Sequence, residues 1–170
     1  MIDLCNFIDN SKSILLLEDW LSKIREGTCI QPHILIYGPT GSGKTTLIRL
    51  LMEKYKHDLH PINVKDFDYT RIMNIKKGIE CQWNVEDYMN GLTDKKPIII
   101  WDDIDISKKF TSLFYKPLNK VPCISIINIS TFRQWKVHCS NQVEIVKPKM
   151  EYLIEYIKSE YKINTSSIQK

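Results

Sequence analysis

One stretch decides the fold of this chain: Gly38-Pro39-Thr40-Gly41-Ser42-Gly43-Lys44-Thr45. It satisfies the pattern G-x-x-x-x-G-K-[ST]. In that pattern backbone N–H groups cradle phosphates, the lysine reaches the β- and γ-phosphates, and the hydroxyl coordinates Mg²⁺. An apolar run at residues 33–37 precedes the stretch, and the helical spacing of Leu47, Leu50 and Leu51 follows it. The strand and helix that this loop needs are therefore expected on either side. The sequence predicts a binding site for a nucleoside triphosphate.

The predicted nucleotide-binding residues run from the loop into the first turn of the helix. Lys44 is assigned a catalytic role as well, because its ammonium group would contact the phosphates that react. Thr45 is assigned to the metal. ATP and Mg²⁺ are the predicted cofactors, although the loop contacts phosphates rather than the base. The complete predicted binding set is Gly38, Pro39, Thr40, Gly41, Ser42, Gly43, Lys44, Thr45 and Thr46.

The composition predicts a single globular domain of ordinary size. The 170 residues, 43% of them hydrophobic and 26% charged, are enough to bury a sizeable core. The sequence contains neither an apolar run of about 18 residues nor a basic N-terminus followed by an apolar stretch. We therefore expect no membrane contact and an intracellular location, cytoplasmic or nuclear. Five scattered cysteines without a C-x-x-C pair argue against a disulfide framework or a zinc site.

Strands and helices are predicted to alternate along the chain. The apolar spacing predicts a helix ahead of the loop, capped by Ser11 or Ser13 and ended by Gly27. A second helix is expected at 43–56, and a partly helical region up to about residue 91. Strands are expected at 33–37, 59–64, 98–101, 123–127 and 143–146. The side chains predicted to face the core from the first helix are Ile14, Leu17, Leu21 and Ile24.

Such alternation predicts a three-layer α/β fold with a five-stranded parallel sheet flanked by helices. We expect residues 1–147 to form the nucleotide-binding core and residues 148–170 to form a C-terminal helix. Pro148 could open that helix. Its predicted apolar face carries Met150, Leu153, Ile154, Ile157 and Tyr161.

An acidic pair ends the apolar run at 98–101. Carboxylates at the end of a buried strand suit a Mg²⁺-triphosphate site, where one holds the metal and another polarises the attacking water. We assign Asp102 to the metal and Asp103 to water activation as a catalytic residue. The alternative is that both aspartates, with Asp105, cap a following helix.

Asn128 ends the next buried run, at 123–127. Beside the acidic strand end, its side chain could touch the γ-phosphate or orient the water. From the residues alone, an ordinary turn or cap asparagine is the favoured interpretation.

In their order and spacing these features resemble the AAA+ ATPases, and among them the clamp-loader subunits of the replication factor C type. The resemblance implies a nucleotide held at a subunit boundary and an ATP-driven task in DNA replication or repair. It also implies that Asn128 has a catalytic role as sensor 1. The implied partners are other AAA+ subunits and a DNA-bound protein such as a sliding clamp. Beyond the phosphate loop, the matching segments are 17–21 with Gly27, 62–66, Asp102-Asp103, 126–128, Cys139, 143–148 and 150–163.

Three departures from the family pattern bear on catalysis. Val137-His138-Cys139 stands where the family has Ser-Arg-Cys, so the arginine offered to a neighbour's ATP is replaced by His138. Asp103 stands where most relatives have Glu. The sequence stops about where the family's lid should continue. We therefore expect a minimal ATPase core, a degenerate subunit, or a shortened relative of the kind that a compact viral genome keeps.

Other functions stay open at this stage. The loop also fits the kinase form G-x-x-G-x-G-K-[ST], although Arg133 is the only arginine after Asp102 and kinases of this kind usually supply several. A viral-type DNA-packaging or translocating ATPase would share the loop and the acids. A non-hydrolysing nucleotide-binding subunit would explain the departures. DNA backbone contact, if present, would come from lysine pairs that could equally be solvated helix faces: Lys76, Lys77, Lys108 and Lys109.

Overall fold

The computed structural model describes residues 7–63, 95–102, 122–135 and 139–151, together with residues 154 and 158. The strands are β1 (His33–Gly38), β2 (Leu59–Asn63), β3 (Lys96–Asp102), β4 (Cys123–Asn128) and β5 (Asn141–Glu144). The helices are α1 (Ser11–Glu26), α2 (Lys44–Lys54) and the short α3 (Phe132–Trp135), and a 3-10 turn (Ile8–Asn10) precedes α1. All strand pairs are parallel, and the sheet order is β2-β3-β4-β1-β5.

Both faces of the sheet are buried. On one face α1 and α2 pack against alternate strand residues, among them Ile36 and Ile126. On the other face Leu35, Ile99 and Ile127 are between 1% and 4% exposed. Burial on both faces explains why β3 and β4 are continuous apolar runs rather than alternating ones. The predicted three-layer fold with a five-stranded parallel sheet is confirmed.

The register of the central strands aligns the ends that carry polar residues. Gly38 of β1 pairs with Asn128 of β4, and Asp102 of β3 pairs with Ile126 of β4. Residues paired in register point to the same face, and so do residues two apart on one strand. Gly38, Asn128 and Asp102 therefore share the face that α1 and α2 cover.

The predicted N-cap of α1 was wrong, whereas the predicted end of this helix is correct. Neither Ser11 nor Ser13 caps α1: Asn10 holds the N-cap position, and its side chain bonds instead to Val146. The Ser13 hydroxyl donates to the carbonyl oxygen of Glu144 at 2.7 Å. These side chains bond to residues more than 130 positions away in sequence. A local capping pattern cannot predict such contacts. The predicted stop at Gly27 is confirmed, since its N–H donates to the Ile24 carbonyl.

Two other differences lie in the second half of the chain. The last strand runs over Asn141–Glu144 rather than 143–146, because pairing with β1 supplies backbone partners to the polar residues that start it. The short helix α3 had no signal in the apolar spacing. The predicted helical region up to residue 91 falls outside the described residues.

The predicted C-terminal helix is described in part. Met150, Glu151, Ile154 and Lys158 are helical, and the other residues from 152 onward lie outside the described part of the chain. Met150 is 69% exposed and Ile154 45% exposed. The division at residues 147 and 148 stays a prediction. Within the described ranges, none of the helices has both the length and the apolar character needed to cross a membrane.

Candidate functional site

The phosphate loop connects β1 to α2 at the end where the parallel strands finish. Gly43 is the N-cap residue of α2 and has a φ of +85°, a left-handed conformation that suits glycine. Its carbonyl oxygen accepts the N–H of Leu47 at 2.8 Å. The first turn of α2, with its positive dipole end, therefore adjoins the loop, as a phosphate site requires.

Gly38 is required for a different reason, which is close approach. A Cβ added there would collide with the carbonyl oxygen of Ile145, in the chain that follows β5. It would also lie 3.2 Å from the hydroxyl oxygen of Ser42, a predicted loop residue that is itself buried. The start of the loop thus has room for a glycine only.

The Lys44 ammonium group is folded over the loop. Its Nζ donates to the carbonyl oxygens of Gly38 at 2.9 Å and Pro39 at 2.8 Å. These bonds hold a positive charge at the mouth of the loop. A bound phosphate would offer the same donors stronger, charge-assisted bonds.

Thr45 and Asp102 are joined, although 57 residues separate them in sequence. Thr45 Oγ1 donates to Asp102 Oδ1 at 3.1 Å. A hydroxyl beside a carboxylate is the oxygen donor set that Mg²⁺ takes in phosphate sites, together with phosphate oxygens and water. These two residues therefore fit the metal that was assigned to them, and their role as ligands stays a prediction.

Asn128 lies against the phosphate loop. Its Nδ2 donates to Thr40 Oγ1 at 2.6 Å, while its Oδ1 accepts the N–H of Ser130 at 3.1 Å and the Ser130 hydroxyl at 3.2 Å. Because Ser130 occupies the oxygen, the amide nitrogen is the end that meets the loop. Asn128 thus offers a donor, the polarity that an anionic phosphate needs.

These residues line one cleft of about 360 Å³. Of the predicted binding set, Gly38, Pro39 and Ser42 do not line it: the first two contribute carbonyl oxygens to Lys44, and Ser42 is buried. The residues that line the cleft are Thr40, Gly41, Gly43, Lys44, Thr45, Thr46, Asp102, Ile126, Ile127 and Asn128.

Two neighbours of the site were missed by the sequence analysis. Ser130 was detectable, because an asparagine two residues before a serine is a common local turn pattern. Phe132 was not: its ring stacks on that of Tyr37 with centroids 3.7 Å apart, a contact between α3 and β1.

Burial, and then the nearby carboxylate of Glu144, raise the pKa of Tyr37. The phenol therefore stays protonated and donates to Glu144 Oε2 at 3.4 Å.

Several other residues named in the sequence analysis are not described by the structure. Asp103, assigned to water activation, lies outside the described residues, as do His138 and the lysine pairs 76–77 and 108–109. Arg133 is described and is exposed on α3.

Residues 34–111 match the family described as ATPase family associated with various cellular activities (AAA). Two relatives are replication factor C large subunits. That of Sulfolobus acidocaldarius is 32% identical over 89 residues, and that of Methanococcus vannielii is 27% identical over 96 residues. The matched segments cover 52% and 56% of this chain but only 19% and 18% of those relatives, so the chain spans less than a fifth of their length.

The fold is similar to a solved structure of C. elegans PCH-2. The TM-score is 0.52 at 13% identity, over 91% of this chain and 48% of that one. At this identity the likeness concerns the fold alone. The family match and the two relatives confirm the predicted resemblance to AAA+ ATPases of the clamp-loader type.

Proposed function

We propose that this chain, an AAA+ ATPase core similar to parts of clamp-loader large subunits, binds Mg-ATP in the cleft beside its phosphate loop. The observation that carries the proposal is the Thr45–Asp102 bond of 3.1 Å. It joins the hydroxyl that ends the phosphate loop to the carboxylate that ends β3, which is the pairing a triphosphate-bound metal needs.

Each described side chain has a defined part in this proposal. Lys44 would exchange its two loop carbonyls for phosphate oxygens, and Thr45 and Asp102 would hold Mg²⁺, which neutralises charge on the phosphates. Asn128 would donate to the γ-phosphate or the attacking water through the nitrogen that now bonds Thr40. Asp103 is proposed as the base that polarises this water.

The proposed task is ATP-driven work in DNA replication or repair, inside the cell. Its partners would be other AAA+ subunits and a DNA-bound protein such as a sliding clamp. Support comes from the two replication factor C relatives, and from their agreement with the features that suggested clamp loaders. The same relatives favour this task over a kinase or a packaging ATPase.

A second candidate is a nucleotide-binding subunit that does not hydrolyse ATP. It is favoured by two positions of the sequence, Asp103 in place of Glu and His138 in place of an arginine. A shift of about 1 Å in a catalytic group costs on the order of a hundredfold in rate, and an arginine finger is worth about 10³–10⁵. An altered base and a lost arginine together could leave binding intact and turnover negligible.

The experiment that separates these functions measures binding and turnover on the same protein. Binding of fluorescent ADP to the protein would be titrated in the presence of Mg²⁺. Phosphate release from Mg-ATP would be followed with and without primer-template DNA. Lys44→Ala serves as the blank for both. If the chain binds nucleotide and DNA stimulates its turnover, and Lys44→Ala loses both, the result supports an ATP-hydrolysing AAA+ core. Nucleotide binding without turnover would support the subunit that does not hydrolyse ATP. If the parent chain binds no better than Lys44→Ala, the proposed site is wrong.

A further inference from the structure

We propose, on the basis of the nucleotide site proposed above, that a strap ahead of α1 positions the phosphate loop for nucleotide and ties it to the chain after β5. The strap is defined as residues Phe7–Asn10. Its two ends make different contacts. Phe7 meets the loop, and Asn10 meets the segment that leads to residue 150.

The contact with the loop is made by an aromatic ring. A Cβ added to Gly43 would lie 2.8 Å from Phe7 Cε1 and 3.3 Å from Phe7 Cζ, so the ring fills the space beside the Gly43 backbone. Phe7 also packs against the buried core. Gly43 is the N-cap residue at which the loop meets α2, with its φ of +85°. The ring is therefore placed to hold the backbone of this junction in position.

The other end of the strap is held by a buried amide. Asn10 is 3% exposed. Its Oδ1 accepts the N–H of Val146 at 2.9 Å, and its Nδ2 donates to the Val146 carbonyl at 3.1 Å. One side chain thus satisfies both backbone groups of a residue just beyond β5, as a neighbouring strand would. Buried amides with both ends bonded are costly to release.

Two further hydrogen bonds hold the strap, one inside it and one to the segment beyond β5. The N–H of Asn10 donates to the Phe7 carbonyl at 2.8 Å, which closes the 3-10 turn. Asp9 Oδ2 accepts the N–H of Lys149 at 3.1 Å. A rigid turn therefore joins the ring on Gly43 to the backbone at 146 and 149. Phe7 and Asn10 act as positioning residues: neither lines the cleft, and both act through the loop that does.

The test compares nucleotide affinity with fold stability in the full chain. The variants are Phe7→Ala, Phe7→Leu, Asn10→Ala and the Phe7→Ala/Asn10→Ala double variant, with Leu16→Ala as the control. Leu16 lies on α1 and is 58% exposed. The dissociation constant for fluorescent ADP with Mg²⁺ is measured at a temperature where circular dichroism shows each variant folded. The melting temperature without nucleotide is measured in parallel.

We expect Phe7→Ala to weaken ADP binding about tenfold, within the range of positions that act at a distance from the ligand. Phe7→Leu should keep most of the parent's affinity, because the methyl groups of leucine still fill the space beside Gly43. Asn10→Ala should also weaken binding. The double variant should be no weaker than the worse single one, because both changes release the same strap. Leu16→Ala should bind normally.

Lower melting temperatures with unchanged dissociation constants would overturn the proposal, since the strap would then stabilise the fold only. Losses that multiply in the double variant would overturn the link between its two ends. If Asn10→Ala does not fold, the comparison of Phe7→Ala with Phe7→Leu decides. Binding that survives Phe7→Ala but not Lys44→Ala would refute the strap and leave the nucleotide site standing.

Discussion

Acidification should destabilise this protein through His33, a histidine at the start of β1. His33 Nε2 lies 2.9 Å from the Ser125 hydroxyl, and Ser125 is 1% exposed. Burial lowers the pKa of His33 from 6.5 to about 4. In the unfolded chain this imidazole regains its ordinary pKa, so between these two values the unfolded state binds the proton and the folded state does not. The free energy of unfolding should therefore fall as the pH falls from about 7 towards 4.

The size of the effect follows from the two pKa values of His33. Each pH unit between them is worth about 1.4 kcal/mol, so the difference between 6.5 and about 4 corresponds to about 3 kcal/mol. About 2 kcal/mol of this should already be lost at pH 5. Against a typical domain stability of about 5–15 kcal/mol, this is a large fraction.

Urea unfolding followed by circular dichroism at pH 7, 6, 5 and 4.5 measures this loss. His33→Gln keeps a polar group near Ser125 but cannot take up a proton in this range. Between pH 7 and pH 5 the free energy of unfolding of this variant should therefore fall by about 2 kcal/mol less than that of the parent. His57→Gln is the matched control, because the His57 side chain is exposed. If His33→Gln loses as much stability on acidification as the parent and the control, the reasoning from burial is refuted.

Three further changes test other contacts of the structure. Gly38→Ala should cost about 3 kcal/mol or more in urea unfolding, because its Cβ meets the Ile145 carbonyl oxygen; an unchanged midpoint would contradict that close approach. Lys96→Met should cost about 1 kcal/mol, because Lys96 Nζ caps α1 by donating to the Arg25 carbonyl at 2.6 Å. Asp102→Asn should weaken ADP binding about tenfold in Mg²⁺ but little in EDTA, and equal losses in both would argue against a metal role.

The strands and the phosphate loop were predictable because their signals are local. Continuous apolar runs such as 98–101 and 123–127 occur where a parallel strand is buried on both faces, and both lie inside strands of the structure. The loop motif is a contiguous pattern whose flanking strand and helix can be checked in the sequence itself. The resemblance to AAA+ ATPases depended on the order of such local features, and the family match over 34–111 confirms it.

The contacts made by Phe7, Asn10 and Lys96 were not predictable, because their partners are distant in sequence. Asn10 is a residue type that commonly caps helices, yet its side-chain amide is hydrogen-bonded to the backbone of Val146, 136 residues away. Phe7 gives no periodic signal, and its importance depends on which glycine it meets in the fold. Lys96 is an ordinary charged residue in the sequence and a helix cap in the structure. In each case a tertiary partner overrides the local preference of the side chain.

The polar residues of the cleft meet because of the strand register, and the apolar runs set that register. Asp102 pairs with Ile126, and Asn128 lies two residues further along the same strand, opposite Gly38. All four therefore point to one face. A slip of one residue in either pairing would turn the carboxylate or the amide to the other face and break its contact with the loop. Burial of the core-facing residues opposes such a slip, so the packing of the core and the geometry of the site are set by the same pairing. This explains how a bond as short as 2.6 Å joins Asn128 to Thr40 across 88 residues of sequence.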